Sequence, residues 1–526
     1  MIRRSTATAC RWLLLFAVAL TGCATLPERP PLPPTYALGV VADCPLAHIL
    51  DMSVPADKAG LSGLRLLPEG QTSFNVRIAL ARRATRSLDV QYYYIAQDPI
   101  GFAFLRELRD AALRGVRVRL IVDDLYAAGE DELLVGLAAY PNVEVRMFNP
   151  LPSRDGSFKT RLVFSLHEFG RVNHRMHNKL FIADNSFAVS GGRNIANEYF
   201  MRSEDANFVD IDVLSAGPVV RQLSSLFDSY WNSEQVFPIG CLAVPPASVE
   251  AAQRRFDEIV RGTPPDVDER PKDVLGATPV ATQLDAGRIE LTWAAARAFA
   301  DTPRKVAGLK DVEKTQTVTE QTLALFATAQ ENIAIASPYF IPGKRGIEMM
   351  RGAGATQENG RITLVTNSLG ATDEPLVHAS YSRYRVEMLK IGVRIFEVSP
   401  TLAPRSGKLG NFGHTLGRQH AKIATIDHRT VFIGSMNLDA RSAHVNTEIG
   451  MVMESPEIAA TIVKLAREDL STGAYRLRLA GDGESIEWVE TEPDGSTIVH
   501  TSEPDDSFWM SFKRWLLSPF ISDELL

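Results

Sequence analysis

The strongest constraint on how this 526-residue chain can fold is that one short pattern occurs in it twice. MHNKLFIADNSFAVSGGRN occupies residues 176–194, and QHAKIATIDHRTVFIGSMN occupies residues 419–437. Counted from His177 and His420, Lys179 and Lys422 both fall at +2, and Asp184 and Asp427 both fall at +7. Gly191 and Gly434 fall at +14, Asn194 and Asn437 at +17, and an acid, Asp205 or Glu448, at +28. A single such stretch reads as an ordinary core hairpin that carries a histidine. Two with identical offsets, 243 residues apart, make the chain an internal duplication.

The flanking sequence repeats too. SLDVQYYYIAQDPIGFAFLRELRDAALRGVRVRLIVDD (87–124) reads as strand, helix, strand. Phe102, Leu105, Leu108 and Ala112 recur at helical spacing, and Gly115 stands where a helix ends. ENIAIASPYFIPGKRGIEMM (331–350), ITLVTNS (362–368) and LKIGVRIFEV (389–398) give the second copy of that order. Strands alternating with amphipathic helices predict an α/β architecture, and the length calls for two cores. In a strand, residues i and i+2 share a face, so His177 points with Lys179 and His420 with Lys422.

The double His-x-Lys-x4-Asp pattern, with its trailing Gly-Gly-x-Asn and Gly-Ser-x-Asn, resembles the signature of the phospholipase D superfamily. The likeness spans about Leu61 to Met453. TNSLGATDEPLVHASYSRYR (366–385) and SFWMSFKRWLLSPF (507–520) resemble its cardiolipin synthase C-like branch. The resemblance implies two similar α/β/α sandwich halves related by a pseudo-twofold axis, with one active site at their interface. One histidine then attacks phosphorus and the other serves the leaving and incoming alcohols, His177 being favoured as nucleophile by that analogy. Lys179, Lys422, Asn194 and Asn437 are expected to steady the phosphate charge. Asp205 and Glu448 are candidates to orient a histidine through Nδ1, with Glu204 an alternative in the first copy. Asp184 and Asp427 complete the signature, but their place near the turn suits them to holding it. His174, His414 and His378 lie near these motifs, with capping, surface or packing roles weighed against a place in the cleft. No cofactor is implied, and the sequence shows no HExxH or paired CxxC for a metal.

The ends carry their own signals. Arg3, Arg4 and Arg11 precede an apolar run from Trp12 to Leu20, too short to span a bilayer, and Leu20-Thr21-Gly22-Cys23 resembles a lipoprotein cleavage site. Residues 1–22 are therefore expected to be a signal peptide, removed with Cys10, and Cys23 to carry lipid. The alternative is a buried N-terminal helix. PERPPLPPTY (27–36) predicts an extended spacer, so residues 23–45 read as lipidated Cys and tether. The expected divisions are a first half at 46–245, a connection at 246–310, a second half at 311–480 and a C-terminal hairpin with an aromatic tail at 481–526. Cys44 and Cys241 are a candidate disulfide in an exported protein, or two buried thiols. The tail reads either as an amphipathic helix in the lipid interface or as a packed terminal helix.

These features lead to an envelope lipoprotein facing the periplasm, monomeric, with Ala24 after Cys23 favouring the outer membrane. The expected reaction is phosphatidyl transfer, with cardiolipin as product when phosphatidylglycerol is the acceptor. Hydrolysis to phosphatidic acid is the same chemistry with water. A nuclease of the same superfamily is a second class, disfavoured by a net charge of −7. A non-catalytic envelope scaffold is a third.

Overall fold

A computed structural model describes residues 25–41, 43–154, 156–262, 271–307, 316–352, 361–406 and 414–505. The signal segment with Cys23 and the aromatic tail from Ser507 lie outside the described residues.

Both hairpins form, and each is closed by a two-residue turn with left-handed backbone: Asp184-Asn185 in the first and Asp427-His428 in the second, φ 51° to 52°. Such turns match the twist of the flanking strands and favour Asp, Asn and His over most side chains. The first half contains β1 (Ser62–Leu67), β2 (Ser87–Tyr92), β3 (Arg117–Asp123), β4 (Val143–Phe148), β5 (Lys179–Ala183), β6 (Phe187–Gly191), β7 (Ala206–Val209), β8 (Asp212–Ala216) and β9 (Val236–Pro238). The second begins with β10 (Thr292–Ala300), β11 (Ile333–Ala336), β12 (Ile362–Asn367), β13 (Arg394–Val398) and β14 (Leu416–Gln419). It continues with β15 (Ile423–Ile426), β16 (Thr430–Gly434), β17 (Ile449–Glu454), β18 (Ala474–Leu479), β19 (Ile486–Thr491) and β20 (Thr497–His500).

The pairing order repeats. In the first half β4, β3 and β2 run parallel, and β2 then meets β5, β6, β8 and β1 antiparallel in succession. In the second, β13, β12 and β11 are parallel, and β15, β16, β17 and β10 follow antiparallel. Strand β10, from the segment expected to be only a connection, pairs with β1 through Thr292–Ala294 and with β17 through Ala295–Ala300. It thus joins the two sheets edge to edge.

The helices form where sequence and caps agree. Pro99 opens Pro99–Leu113 behind Asp98, whose side chain accepts from the Gly101 N–H at 2.8 Å, and Gly115 (φ +95°) follows its end. After the last hairpin-side strand of each half comes a long helix, Pro218–Trp231 or Pro456–Gly473. Val220, Leu223 and Phe227 of the first helix and Ile462 and Leu465 of the second share one core with Leu180, Ile182, Ile423 and Ile433 from the two hairpins. Burying each such side chain contributes roughly 1.5–3 kcal/mol. The apolar faces of the two hairpins therefore hold the halves together, and their polar residues are left to the cleft.

Two expectations need correction. Cys44 and Cys241 are both free thiols, so the candidate disulfide does not form. Cys44 stands just before the helix Pro45–Ser53 and its Sγ donates to Asp184 at 2.8 Å, whereas Cys241 lies on Ile239–Leu242 beside β9 and β4. The Pro-rich segment is extended, but it is seated on the first half rather than free. Arg29 donates to the Val236 carbonyl at 2.8 Å, and Trp231 Nε1 donates to Thr35 Oγ1 at 2.8 Å.

Candidate active site

The cleft is set by hydrogen bonds that cross between the halves. The His177 amide donates to the Thr447 carbonyl (2.8 Å), and the His420 amide donates to the Val209 carbonyl (2.7 Å). Thr447 and Val209 each stand shortly before a carboxylate. In consequence each histidine is partnered by an acid of the opposite half: His177 Nδ1 lies 3.0 Å from Glu448 Oε2, and His420 Nδ1 lies 2.8 Å from Asp210 Oδ2. With Nδ1 engaged, the chemistry falls to Nε2, which in His420 also lies 3.1 Å from Lys422 Nζ.

Asp210, not Asp205, is the acid of the first copy. Gly191 pairs with Asp212, as Gly434 pairs with Gly450, so Asp210 and Glu448 occupy equivalent positions. The loop before Asp210 is five residues longer than its counterpart and contains β7, which pairs in parallel with β14 of the other half. That insertion pushes the true partner from +28 to +33 and leaves Asp205 exposed. The signal was the order acid-Ile-strand, which Asp210-Ile211 shares with Glu448-Ile449.

Small residues make room for both acids. A Cβ on Gly192 would lie 2.4 Å from Asp210 Oδ2. The equivalent Ser435 instead donates its hydroxyl to Glu448, and Ser442 Oγ donates to the other carboxylate oxygen at 2.8 Å. Lys179 and Lys422 are buried, each donating through Nζ to the carbonyl of its own histidine at 2.7 Å. Tyr93 stands edge-on to His177 (5.1 Å between centroids), while Tyr199 and Phe208 pack on His420 (5.1 and 4.9 Å). None of these three rings, nor Ser442, carried a recognisable signal in the sequence, whereas Ser435 is the serine of the Gly-Ser-x-Asn that closes the second motif.

Asn194 Nδ2 donates to the Tyr199 hydroxyl at 2.9 Å, so it serves the wall of the cleft. Oδ1 of Asn194 and of Asn437 are buried with no protein partner among the described residues, leaving two acceptors for a ligand. Asp184 and Asp427 do not reach the cleft. Asp184 accepts from the amides of Thr85, Arg86 and Ser87, and Asp427 from those of Gln330, Glu331 and Asn332, tying each turn to the start of β2 or β11. His174 Nδ1 meets the Val445 carbonyl at 2.9 Å across the halves, and His414 is exposed. His378 is buried in a network with Glu503 (2.8 Å) and Arg385 (2.9 Å), pinning the chain after β20 to the helix Pro375–Ser382.

Charge is balanced so that both rings start neutral. Burial lowers the His177 pKa to about 4, against the pull of Glu448 and with help from Lys179. Burial and Lys422 drive His420 well below its usual range as well, and Lys179 and His177 add to this across the interface. Burial lowers Lys422 to about 8, with Asp210 and Glu448 opposing, and takes Lys179 well below an ordinary lysine. Glu448 is raised by burial, but the imidazole of His177 and the Lys179 ammonium outweigh this and leave it below the usual carboxylate range. Two neutral imidazoles beside two buried lysine amines, whose protonation an anion favours, form a site for a mobile anion. An arriving phosphate raises both histidine pKa values and lets one become an acid. Among the described residues no group of three or more His, Cys, Asp or Glu is placed to hold a metal ion.

Comparison with known proteins agrees with this geometry. The family model "Cardiolipin synthase, PLD-like domain" matches residues 78–231 and 322–470, one block in each half. The chain is 36% identical over 456 residues to cardiolipin synthase C of Escherichia coli, covering 86% of this chain and 93% of that protein. It is 25% identical to cardiolipin synthase A of Pseudomonas fluorescens, over 78% and 68% of the respective chains. Among solved structures, phosphatidylserine synthase of Haemophilus influenzae superposes with a TM-score of 0.56 at 14% identity, over 90% of this chain and 96% of that one. That likeness is one of fold.

Proposed function

Since the chain belongs to the phospholipase D-like family of cardiolipin synthases, we propose that it is a phospholipid phosphatidyltransferase whose product is cardiolipin. The observation that carries this reading is the crossed arrangement of His177–Glu448 and His420–Asp210 around two buried lysines. In the first step Nε2 of one neutral histidine bonds to phosphorus, and the bond from phosphorus to the headgroup oxygen breaks. The other histidine, protonated once the anion is bound, gives its proton to that leaving oxygen. It then takes a proton from the incoming alcohol, whose oxygen attacks phosphorus and frees the first histidine. Lys179 and Lys422 counter the charge that gathers on the phosphoryl oxygens in both steps.

His177 is the nucleophile in this scheme. Glu448 is held by Ser435, Ser442 and its own imidazole, so it keeps that ring's Nδ1–H fixed throughout. The acceptor is a second phospholipid headgroup, phosphatidylglycerol. One chain supplies both halves of the site, so a monomer suffices. We further propose that lipid on Cys23 holds the enzyme at the periplasmic face of the outer membrane, a reading supported by Leu20-Thr21-Gly22-Cys23 and Ala24.

The test is mass spectrometry of products from purified protein on vesicles of phosphatidylglycerol and phosphatidylethanolamine, with His420→Ala as control. Cardiolipin that disappears in the variant supports the transferase. Phosphatidic acid as the sole product makes the enzyme a hydrolase, and no lipid product turns attention to nucleic-acid phosphodiesters.

A further inference from the structure

We propose that residues 157–173, immediately ahead of the first catalytic strand, form a docking surface for the phospholipid bilayer. The segment comprises the short helix Phe158–Phe164, a turn of 3-10 helix at Leu166–Glu168 and Phe169–Val172. Within seven residues it exposes Val163 (60%), Phe164 (46%), Leu166 (53%) and Phe169 (51%). Isolated exposed apolar side chains are common on any surface, but four crowded on one ledge form a patch.

The ledge is fixed from beneath, so its apolar side is held outward. Arg161 is buried and donates to Asp124 at 2.7 Å and to the Ser153 carbonyl at 3.0 Å. Arg171 donates to the Pro150 carbonyl at 2.9 Å, and Asn149 Nδ2 returns to the carbonyls of Arg171 and His174. These polar groups face the protein. Lys159 stays at the surface in the same segment, an amine suited to anionic headgroups, while His167 lies 3.6 Å from Glu168.

The patch also connects to the chemistry. Phe158 stacks on Tyr126 (5.5 Å, 18° between planes), Tyr126 meets Tyr93 edge-on (5.5 Å), and Tyr93 meets His177 (5.1 Å). An unbroken row of rings thus runs from the ledge to the catalytic imidazole. Aromatic side chains suit the headgroup layer, where one end is apolar and the other wet. A bilayer on the ledge lets a phospholipid rise along these rings to His177 while its acyl chains stay in lipid. The choice of partner rests on the transferase reading; the exposed and anchored ledge does not.

The experiment is hydrogen exchange of the full-length protein with and without vesicles of phosphatidylglycerol and phosphatidylethanolamine, alongside the triple variant Phe164→Asp, Leu166→Asp, Phe169→Asp. Vesicles are expected to slow exchange across 157–173 by about tenfold or more in the natural protein and to leave it unchanged in the variant. Turnover of vesicle phosphatidylglycerol should fall about tenfold in the variant, while turnover of monomeric dihexanoyl phosphatidylglycerol stays within about twofold. Exchange at 157–173 that ignores vesicles in the natural protein overturns the proposal, whether or not the variant folds. Equal loss on both substrates overturns it too. If no phospholipid is turned over at all, the transferase reading fails, and exchange still reports whether the ledge meets a membrane.

Discussion

Each imidazole of the cleft is held by one carboxylate, and the two acids are built differently. Glu448 reaches its histidine past Ser435, whereas the shorter Asp210 stands against the bare α-carbon of Gly192. An Asp210→Asn variant keeps the shape but removes the charge that fixes the His420 tautomer. We expect kcat to fall by roughly 10²- to 10⁴-fold, as when the orienting acid of a catalytic triad is neutralised. Asp205→Asn, on an exposed loop, should leave kcat within about twofold. Gly192→Ala offers an independent check: its methyl group would lie 2.4 Å from Asp210 Oδ2 and must displace it. Kinetics of the three variants beside thermal melting separate these effects. Activity lost in Asp205→Asn and kept in Asp210→Asn would return the first acid to the equal-offset position.

At the scale of the elements, the conserved spacing of the two hairpins serves a mechanical purpose. Asp184 and Asp427 each gather three backbone amides at the foot of β2 or β11, so the third residue of the motif aligns the hairpin with the strand beside it. Asp184 is buried and Asp427 is nearer to solvent. Losing a buried acceptor leaves donors that water does not reach, at about 1–3 kcal/mol each. Chemical denaturation should therefore show Asp184→Ala destabilised by about 3 kcal/mol and Asp427→Ala by about 1 kcal/mol, with specific activity of the folded fraction retained. This division also explains what the sequence disclosed. The two-residue turns, the shared face of His and Lys, and the parallel order of the halves follow from local periodicity and were legible. The longer loop before Asp210, the rings of Tyr93, Tyr199 and Phe208, and the role of β10 depend on contacts between residues far apart in the chain. Cys44 was misread for the same reason: its partner is the turn carboxylate of Asp184, 140 residues away.

On the scale of the whole molecule, the crossed pairing makes the site's protonation a property of both halves together. In the empty cleft His177 takes a proton only near pH 4, and His420 is also held well below an ordinary histidine. Burial comes first among the causes, but the charges of Lys179 and Lys422 contribute, and these are the charges that a bound phosphodiester offsets. Substrate must then raise the pKa of the histidine that acts as acid. Because kcat/KM reports the free enzyme and kcat the complex, we expect the limb on which activity falls with rising pH to lie at higher pH in kcat than in kcat/KM. A second descent in kcat/KM should begin near pH 8, where Lys422 loses its proton and with it the charge that attracts the phosphate. Lys422→Arg, which stays charged at that pH, should lose this second descent even if its rate is lower. Steady-state profiles between about pH 3 and pH 9.5 on a monomeric phospholipid cover both limbs and keep membrane binding out of the measurement. Coincident limbs in kcat and kcat/KM would mean that the anion does not protonate the cleft. The acid must then already be charged in the empty enzyme, against the burial and the lysine charges that surround both rings.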